Sequence, residues 1–153
     1  MLVAATALWL SGDYWLPAHQ TGFSLVTLQD NNVLVSDSDV LSFNVTSQEF
    51  VISDAASQRL MQNLDSLYQF NNTVVIRVNG EEIYHGIFRA AWMSAVPTLP
   101  KVAILFPSMH FPDGTENSHA IRLFYPNFQP ATNQFSENAK LVQYFEETNR
   151  LIQ

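Results

Sequence analysis

Residues 73–88 read Thr-Val-Val-Ile-Arg-Val, then Asn79-Gly80, then Glu-Glu-Ile-Tyr-His-Gly-Ile-Phe. Two runs rich in β-branched and aromatic residues flank the dipeptide best able to hold positive φ at both centres of a type I′ turn, which predicts a β-hairpin. A two-residue loop sets Val78 opposite Glu81, Arg77 opposite Glu82, Ile76 opposite Ile83, Val75 opposite Tyr84 and Val74 opposite His85. In that register Val74, Ile76, Val78, Ile83 and Ile87 share one face, and an Arg77–Glu82 pair lies on the other. His85 reads as a partly buried, hydrogen-bonded histidine with no assigned role.

Upstream of the hairpin, Ser53 is a natural N-cap and Asp54 places negative charge in a first helical turn. Ala56, Leu60, Leu64 and Leu67 then recur at helical spacing, with Met61 and Tyr68 widening the stripe, so a helix is predicted to run to about Phe70. Its polar face carries Gln58, Arg59, Gln62 and Asp65. Glu49–Ile52 is a short strand. Ser36-Asp-Ser-Asp39 is rich in capping side chains and predicts one helical turn over Val40–Phe43. Phe23–Leu28 alternates as a strand, Gln29–Asn32 supplies turn residues, and Val33–Val35 completes a strand or hairpin.

Downstream, Lys101–Phe106 and His119–Tyr125 are predicted strands separated by a loop over Pro107–Ser118. Ser136 is predicted to cap a terminal helix whose stripe is Leu141, Tyr144, Phe145, Thr148, Leu151 and Ile152. Strands arrive in runs rather than alternating with helices, which predicts an α+β domain with an antiparallel or mixed sheet and two main helices packed on it. Residues 13–153 are read as this single domain and residues 1–12 as the remnant of an upstream apolar segment.

The composition supports a folded domain and narrows its partners. Of 153 residues, 47% are hydrophobic and 14% charged, with eleven phenylalanines for core material. Seven basic against fourteen acidic residues give a net charge of -7, and no lysine or arginine precedes Arg59. Nucleic acid and anionic lipid surfaces are poor partners for such a chain. With no cysteine there is no disulfide, thiolate metal site or thiol nucleophile. The segment Leu2–Leu10 is apolar throughout but too short for a hydrocarbon core that needs about 20 residues. Two readings of it stand, the end of a longer membrane segment or a short buried element.

Few residues carry a chemical signal. His110, Asp113, Glu116 and His119 fall within one loop and are donor types suited to a divalent ion. A solvated loop is the preferred reading, because no HExxH spacing is present and Asp113-Gly114 is ordinary turn chemistry. Asp30, Asp37 and Asp39 do not match a calcium loop, since Leu34 and Leu41 occupy ligand positions. Glu81 and Glu82 point to opposite faces of a strand. There is no GxSxG, SxxK, GxGxxG or GxxxxGK[ST] pattern, so no triad or phosphate loop is proposed, and no catalytic residue or cofactor is assigned. Trp9, Tyr14, Trp15 and Trp92 suit core packing or stacking on a ligand. Asn44-Val-Thr46 and Asn71-Asn-Thr73 match a glycosylation acceptor pattern that arises readily by chance.

Asp39-Val-Leu-Ser42-Phe43, Glu49-Phe50-Val-Ile52-Ser53, Arg59-Leu60 and the hairpin from Asn79 to Phe88 resemble small extracytoplasmic domains that prokaryotes attach behind a membrane segment. The order of strand, helix and hairpin over residues 33–106 is also similar to the periplasmic head of the SecD and SecF translocation accessories. Val40 stands where isoleucine is usual and Phe43 where tyrosine is usual. The resemblance implies placement outside the cytoplasm and transfers no functional residue.

The expected function is therefore a non-enzymatic extracytoplasmic binding or interaction domain, tethered through a segment upstream of residue 11, with a protein or small ligand as partner. A hydrolase or metalloenzyme built on His110, Asp113, Glu116 and His119 is the alternative, and a cytosolic structural subunit the third option. Each large apolar side chain lost from the terminal helix forfeits about 1.5–3 kcal/mol of burial, against a total near 5–15 kcal/mol for a domain. Deleting residues 1–10 is thus expected to leave cooperative thermal unfolding nearly unchanged, whereas deleting the terminal helix abolishes it. Loss of cooperativity on the first deletion would show residues 1–10 to be core and end the tether reading.

Overall fold

The computed structural model describes residues 21–68, 73–89, 102–109, 116–124 and 136–153. In chain order it contains β1 (Phe23–Thr27), β2 (Val33–Ser36), a 3-10 turn (Asp37–Asp39), β3 (Val40–Asn44), β4 (Glu49–Ile52), α1 (Asp54–Gln62) and α2 (Leu64–Tyr68). There follow β5 (Thr73–Val78), β6 (Glu81–Arg89), β7 (Val102–Leu105), β8 (Ser108–Met109), β9 (Glu116–Asn117), β10 (Ala120–Phe124), α3 (Ser136–Glu147) and β11 (Leu151–Ile152). Nine strands form one mixed sheet in the order β11-β3-β4-β10-β7-β6-β5-β1-β2, and β8 pairs with β9 in a small second sheet. The fold is α+β. Leu2–Leu10, Trp9, Tyr14, Trp15, Asn71, Trp92, His110 and Asp113 lie outside the described residues.

The β5–β6 hairpin forms as its turn dictates, with Asn79 at φ 51° and Gly80 at φ 81°. Val78 faces Glu81 and Arg77 faces Glu82, and the Arg77 Nη2 to Glu82 Oε1 distance is 2.8 Å. The register then slips, so that Ile76 faces Tyr84, Val75 faces His85 and Val74 faces Gly86. Ile83 is the extra residue of a β-bulge, which reverses the faces of everything beyond it. Tyr84 and Phe88 consequently join Val74, Ile76 and Val78 in the core, while Ile87, expected there, is only partly buried. His85 is about half exposed, 48% by side chain, and bonds Glu82.

Gly86 lies opposite Val102 in the parallel β6–β7 pair, where a Cβ would stand 2.7 Å from the Val102 carbonyl oxygen. Only glycine lets the strands close at this point. The other parallel pair sets β11 beside β3, and the remaining ladders of the large sheet are antiparallel.

Three sequence expectations are corrected by local chemistry. Val40–Phe43 is strand, not a helical turn: Asp39 Oδ2 accepts from the Ser36 amide at 2.9 Å and the Ser36 hydroxyl at 2.7 Å, which confines the turn to Asp37–Asp39. Val40 and Phe43 are then buried against the core while Leu41 points to solvent at 57% exposure. The helix expected to reach Phe70 breaks at Asn63, whose backbone sits at φ -109°, ψ 7° and whose Nδ2 donates to the Arg59 carbonyl. The described chain therefore has three helices rather than two. Finally, α3 stops at Glu147. Asn149 adopts φ 56°, its amide donates to Glu146 and that of Arg150 to Phe145, the paired bonds of a Schellman motif. Leu151 and Ile152, expected on the helical stripe, are released as a strand.

One core face gathers side chains from strands and from all three helices, with Ala56, Leu60, Leu67, Leu141, Tyr144 and Phe145 in the same buried cluster as Phe23, Phe43 and Phe50. The Phe43 and Phe50 rings stack with centroids 4.7 Å apart, and Phe145 meets Phe43 at 5.4 Å. Ala103, Leu105 and Phe124 form a separate cluster. Substituting Gly86→Ala is expected to destabilise the chain by about 1–3 kcal/mol, the usual cost of forcing a methyl into packed backbone. An unchanged urea midpoint would show that the β6–β7 junction tolerates the methyl.

Candidate functional site

Of the loop residues singled out in the sequence, Glu116 and His119 are among the described residues and His110 and Asp113 are not. Glu116 stands on β9 opposite Met109. His119 lies in the turn before β10 rather than opening that strand, with Nε2 3.2 Å from Asp54 Oδ1 and Nδ1 3.2 Å from the Ser118 hydroxyl. The Ser57 hydroxyl donates to the Ser118 carbonyl at 2.6 Å and the Ile52 amide to the His119 carbonyl at 2.8 Å, so this turn is laced to the start of α1. Among the described residues no three His, Asp or Glu side chains stand close enough to hold a metal ion.

A polar pair is also enclosed within the fold. Glu49 on β4 is buried and accepts a hydrogen bond from Ser108, itself fully enclosed. Arg122, opposite Glu49 on β10, donates to the Ser47 and Met109 carbonyls at 3.0 Å each. These contacts join β4, β8 and β10, and the serine and the carboxylate are both buried.

The acidic residues near β2 are each engaged. Asp37 Oδ1 accepts from the Phe23 amide at 3.1 Å, from Tyr144 Oη at 2.5 Å and from Arg150 Nη2 at 2.7 Å. Burial is the largest single influence on this carboxyl and pushes it up. The Tyr144, Arg150 and Phe23 bonds together outweigh that and hold it below its ordinary value. Burial, then the Asp37 carboxylate, push the Tyr144 phenol up. Asp39 behaves like Asp37, with bonds from Ser36 and Arg59 outweighing burial. Asp30 is held low first by the Thr27 hydroxyl and then by the Asn32 amide.

Between the β1–β2 turn and the α1–α2 pair lies a cleft of about 510 Å³. Its floor is Leu34, Leu60 and Leu67, all buried, and Leu28 and Val33 form an apolar lip at 42% and 37% exposure. Thr27, Asp30 and Asn32 on the turn face Arg59, Asn63 and Ser66 on the helices. Two irregularities shape it. The break at Asn63 places Asn63 and Ser66 at the rim while keeping Leu60 and Leu67 beneath. On β2 the register passes from Leu25–Val35 directly to Val26–Val33, so Leu34 is the bulged residue and its side chain reaches the cleft floor.

The electrostatics of the cleft are set by two carboxylates. Arg59 is committed to Asp39, with Nη2 2.7 Å from Oδ2. Asp30 is left without a cationic partner among the described residues and is exposed. The described lining contains no histidine, lysine or cysteine, and Asp30 is its one carboxylate. Sequence reasoning passed over these residues because Gln29–Asn32 read as turn chemistry and Arg59 as a solvated helix face. The missed signal is Asn63, a helix-breaking polar residue within an apolar stripe.

No family model, curated protein or solved structure matches this chain.

The Asp37 and Asp39 carboxyls bind protons more weakly folded than unfolded. Their contribution is complete above the ordinary value of 3.8 and is lost as pH falls through the lower folded value. The urea midpoint is therefore expected to hold steady from about pH 7 to 5 and to fall below about pH 4. Asp37→Asn should lower the neutral midpoint and flatten that acid limb. An acid limb of unchanged steepness would show that Asp37 is not a carrier of it.

Proposed function

We propose that this chain is a non-enzymatic binding domain, held outside the cytoplasm behind the apolar segment that precedes Ser11, with its ligand site in the cleft between the β1–β2 turn and α1–α2. The observation that carries the reading is the lining: an apolar floor of Leu34, Leu60 and Leu67 under a rim of hydrogen-bonding groups, the pattern of sites that bury a ligand and orient it. Its rim groups supply hydrogen-bond donors and acceptors for recognition. No helix among the described residues is long and apolar enough to cross a membrane, so the tether rests on Leu2–Leu10 and its resemblance.

Ligand-observed NMR of the full chain against a library of small organic fragments tests the site. Ser66 is exposed on the rim, and Ser66→Trp fills the cleft without entering the core. Fragments are expected to bind the native chain and to be lost from Ser66→Trp at least about tenfold, with the unfolding midpoint unchanged. A tenfold loss corresponds to about 1.4 kcal/mol. Absence of binding, or fragments retained by the variant, would overturn the assignment.

A further inference from the structure

We infer that the occupant of this cleft is an extended peptide segment of a partner protein, one that sets an apolar side chain over Leu34, Leu60 and Leu67 and a lysine or arginine beside Asp30. The inference rests on the cleft being the binding site and names what it takes.

Three independent features converge on that chemistry. First, β2 is the outermost strand of the nine-stranded sheet, pairing with β1 alone among the described residues. Its sequence, Val33-Leu-Val-Ser36, carries neither the lysine nor the proline that commonly blunts a free strand edge. The bulge at Leu34 takes that residue out of the β1 ladder, next to the cleft. Val35 is fully buried and the Ser36 amide is taken by Asp39, so main-chain pairing with an incoming extended chain is left to the cleft end of the strand at Val33 and Leu34, the mode in which a peptide adds to a sheet edge and its alternate side chains fill pockets.

Second, Leu28 just after β1 and Val33 at the start of β2 are exposed beside the buried leucine floor, giving one apolar contact at the lip and another below it. Side chains spaced two apart on an extended peptide reach one face, which suits a lip-and-floor arrangement and not a flat surface.

Third, the charge is complementary to a cation. Arg59 is neutralised by Asp39, Asp30 has no cationic partner among the described residues, and residues 1–58 hold no lysine or arginine at all. Asp30 lies in solvent, so the charge preference it confers is modest, about two- to fivefold, and is screened by salt.

The test is amide-detected NMR titration of the isotope-labelled full chain with three acetylated and amidated hexapeptides, TVTLTR, TVTLTQ and TVTLTE. The arginine peptide is expected to shift Val33, Leu34, Leu60 and Leu67 and to bind about two- to fivefold more tightly than the glutamate peptide. Asp30→Asn should bring the three dissociation constants together. Equal constants on the native chain, or the tightest for glutamate, overturn the cationic assignment and leave the cleft a binding site. No shift from any of the three overturns the peptide assignment, and the fragment screen with Ser66→Trp then decides separately whether the cleft binds at all.

Discussion

One carboxylate holds the ends of this fold to its middle. Asp37 follows β2, yet its side chain receives the amide of Phe23 at the start of β1, the hydroxyl of Tyr144 on α3 and the guanidinium of Arg150 beyond α3. Arg150 continues the network by donating to the Asp37 and Val40 carbonyls at 2.9 and 3.0 Å, and its Cζ lies 5.1 Å from the Phe145 ring centroid. Residues more than 100 positions apart in sequence are thereby fixed within hydrogen-bond reach. Charged hydrogen bonds of this kind are the stronger ones, about 1.5–3 kcal/mol each where water is kept away. Here partial exposure reduces that, so the network supplies geometry more than energy.

The geometry matters because the aromatic core depends on it. Phe145 packs against Phe23, Phe43 and Phe50, which belong to α3, β1, β3 and β4 in turn. Without an anchored α3 those rings lose a common neighbour. The Schellman turn at Asn149 then directs Leu151 and Ile152 along β3, where the Phe43 amide donates to the Arg150 carbonyl and the Val45 amide to that of Ile152. Helix end, ion pair and edge strand are three consequences of a single chain reversal over residues 148–150.

Which parts of this were legible in the sequence follows from the range of the forces involved. The Asn79-Gly80 turn, the Arg77–Glu82 pair and the capping by Ser53 are settled by neighbours a few residues apart, and they stand in the structure as read. The bulge at Ile83 was not legible, because the Asn-Gly turn fixes register only for the pairs beside it and no glycine or other local signal marks the extra residue. The fates of Leu151 and Ile152 were hidden for a similar reason: their spacing from Tyr144 is helical, and only Asn149 in the left-handed region marks the exit. Val40–Phe43 misled because four capping residues precede it and because Val40 and Phe43, both buried, are three apart, a helical spacing that the strand accommodates through a bulge at Leu41. The cleft was the least legible feature of all, since its residues come from a turn, an edge strand and two helices.

That last point bears on why the cleft, and not the acidic turn or the histidine loop, is the place to look for function. A sequence that specifies its fold tends to be consistent at every level, and departures concentrate where something other than stability is served. Two departures border the cleft: Asn63 interrupts an apolar stripe that leucines would otherwise carry unbroken, and Leu34 drops out of the β1–β2 register. Either one alone is an ordinary accommodation. Facing each other across the same 510 Å³ space, they open a sheet edge and a helix pair toward one volume. The Asp37 network, by contrast, contains no departure that its own contacts leave unexplained, which is the mark of structure maintained for its own sake.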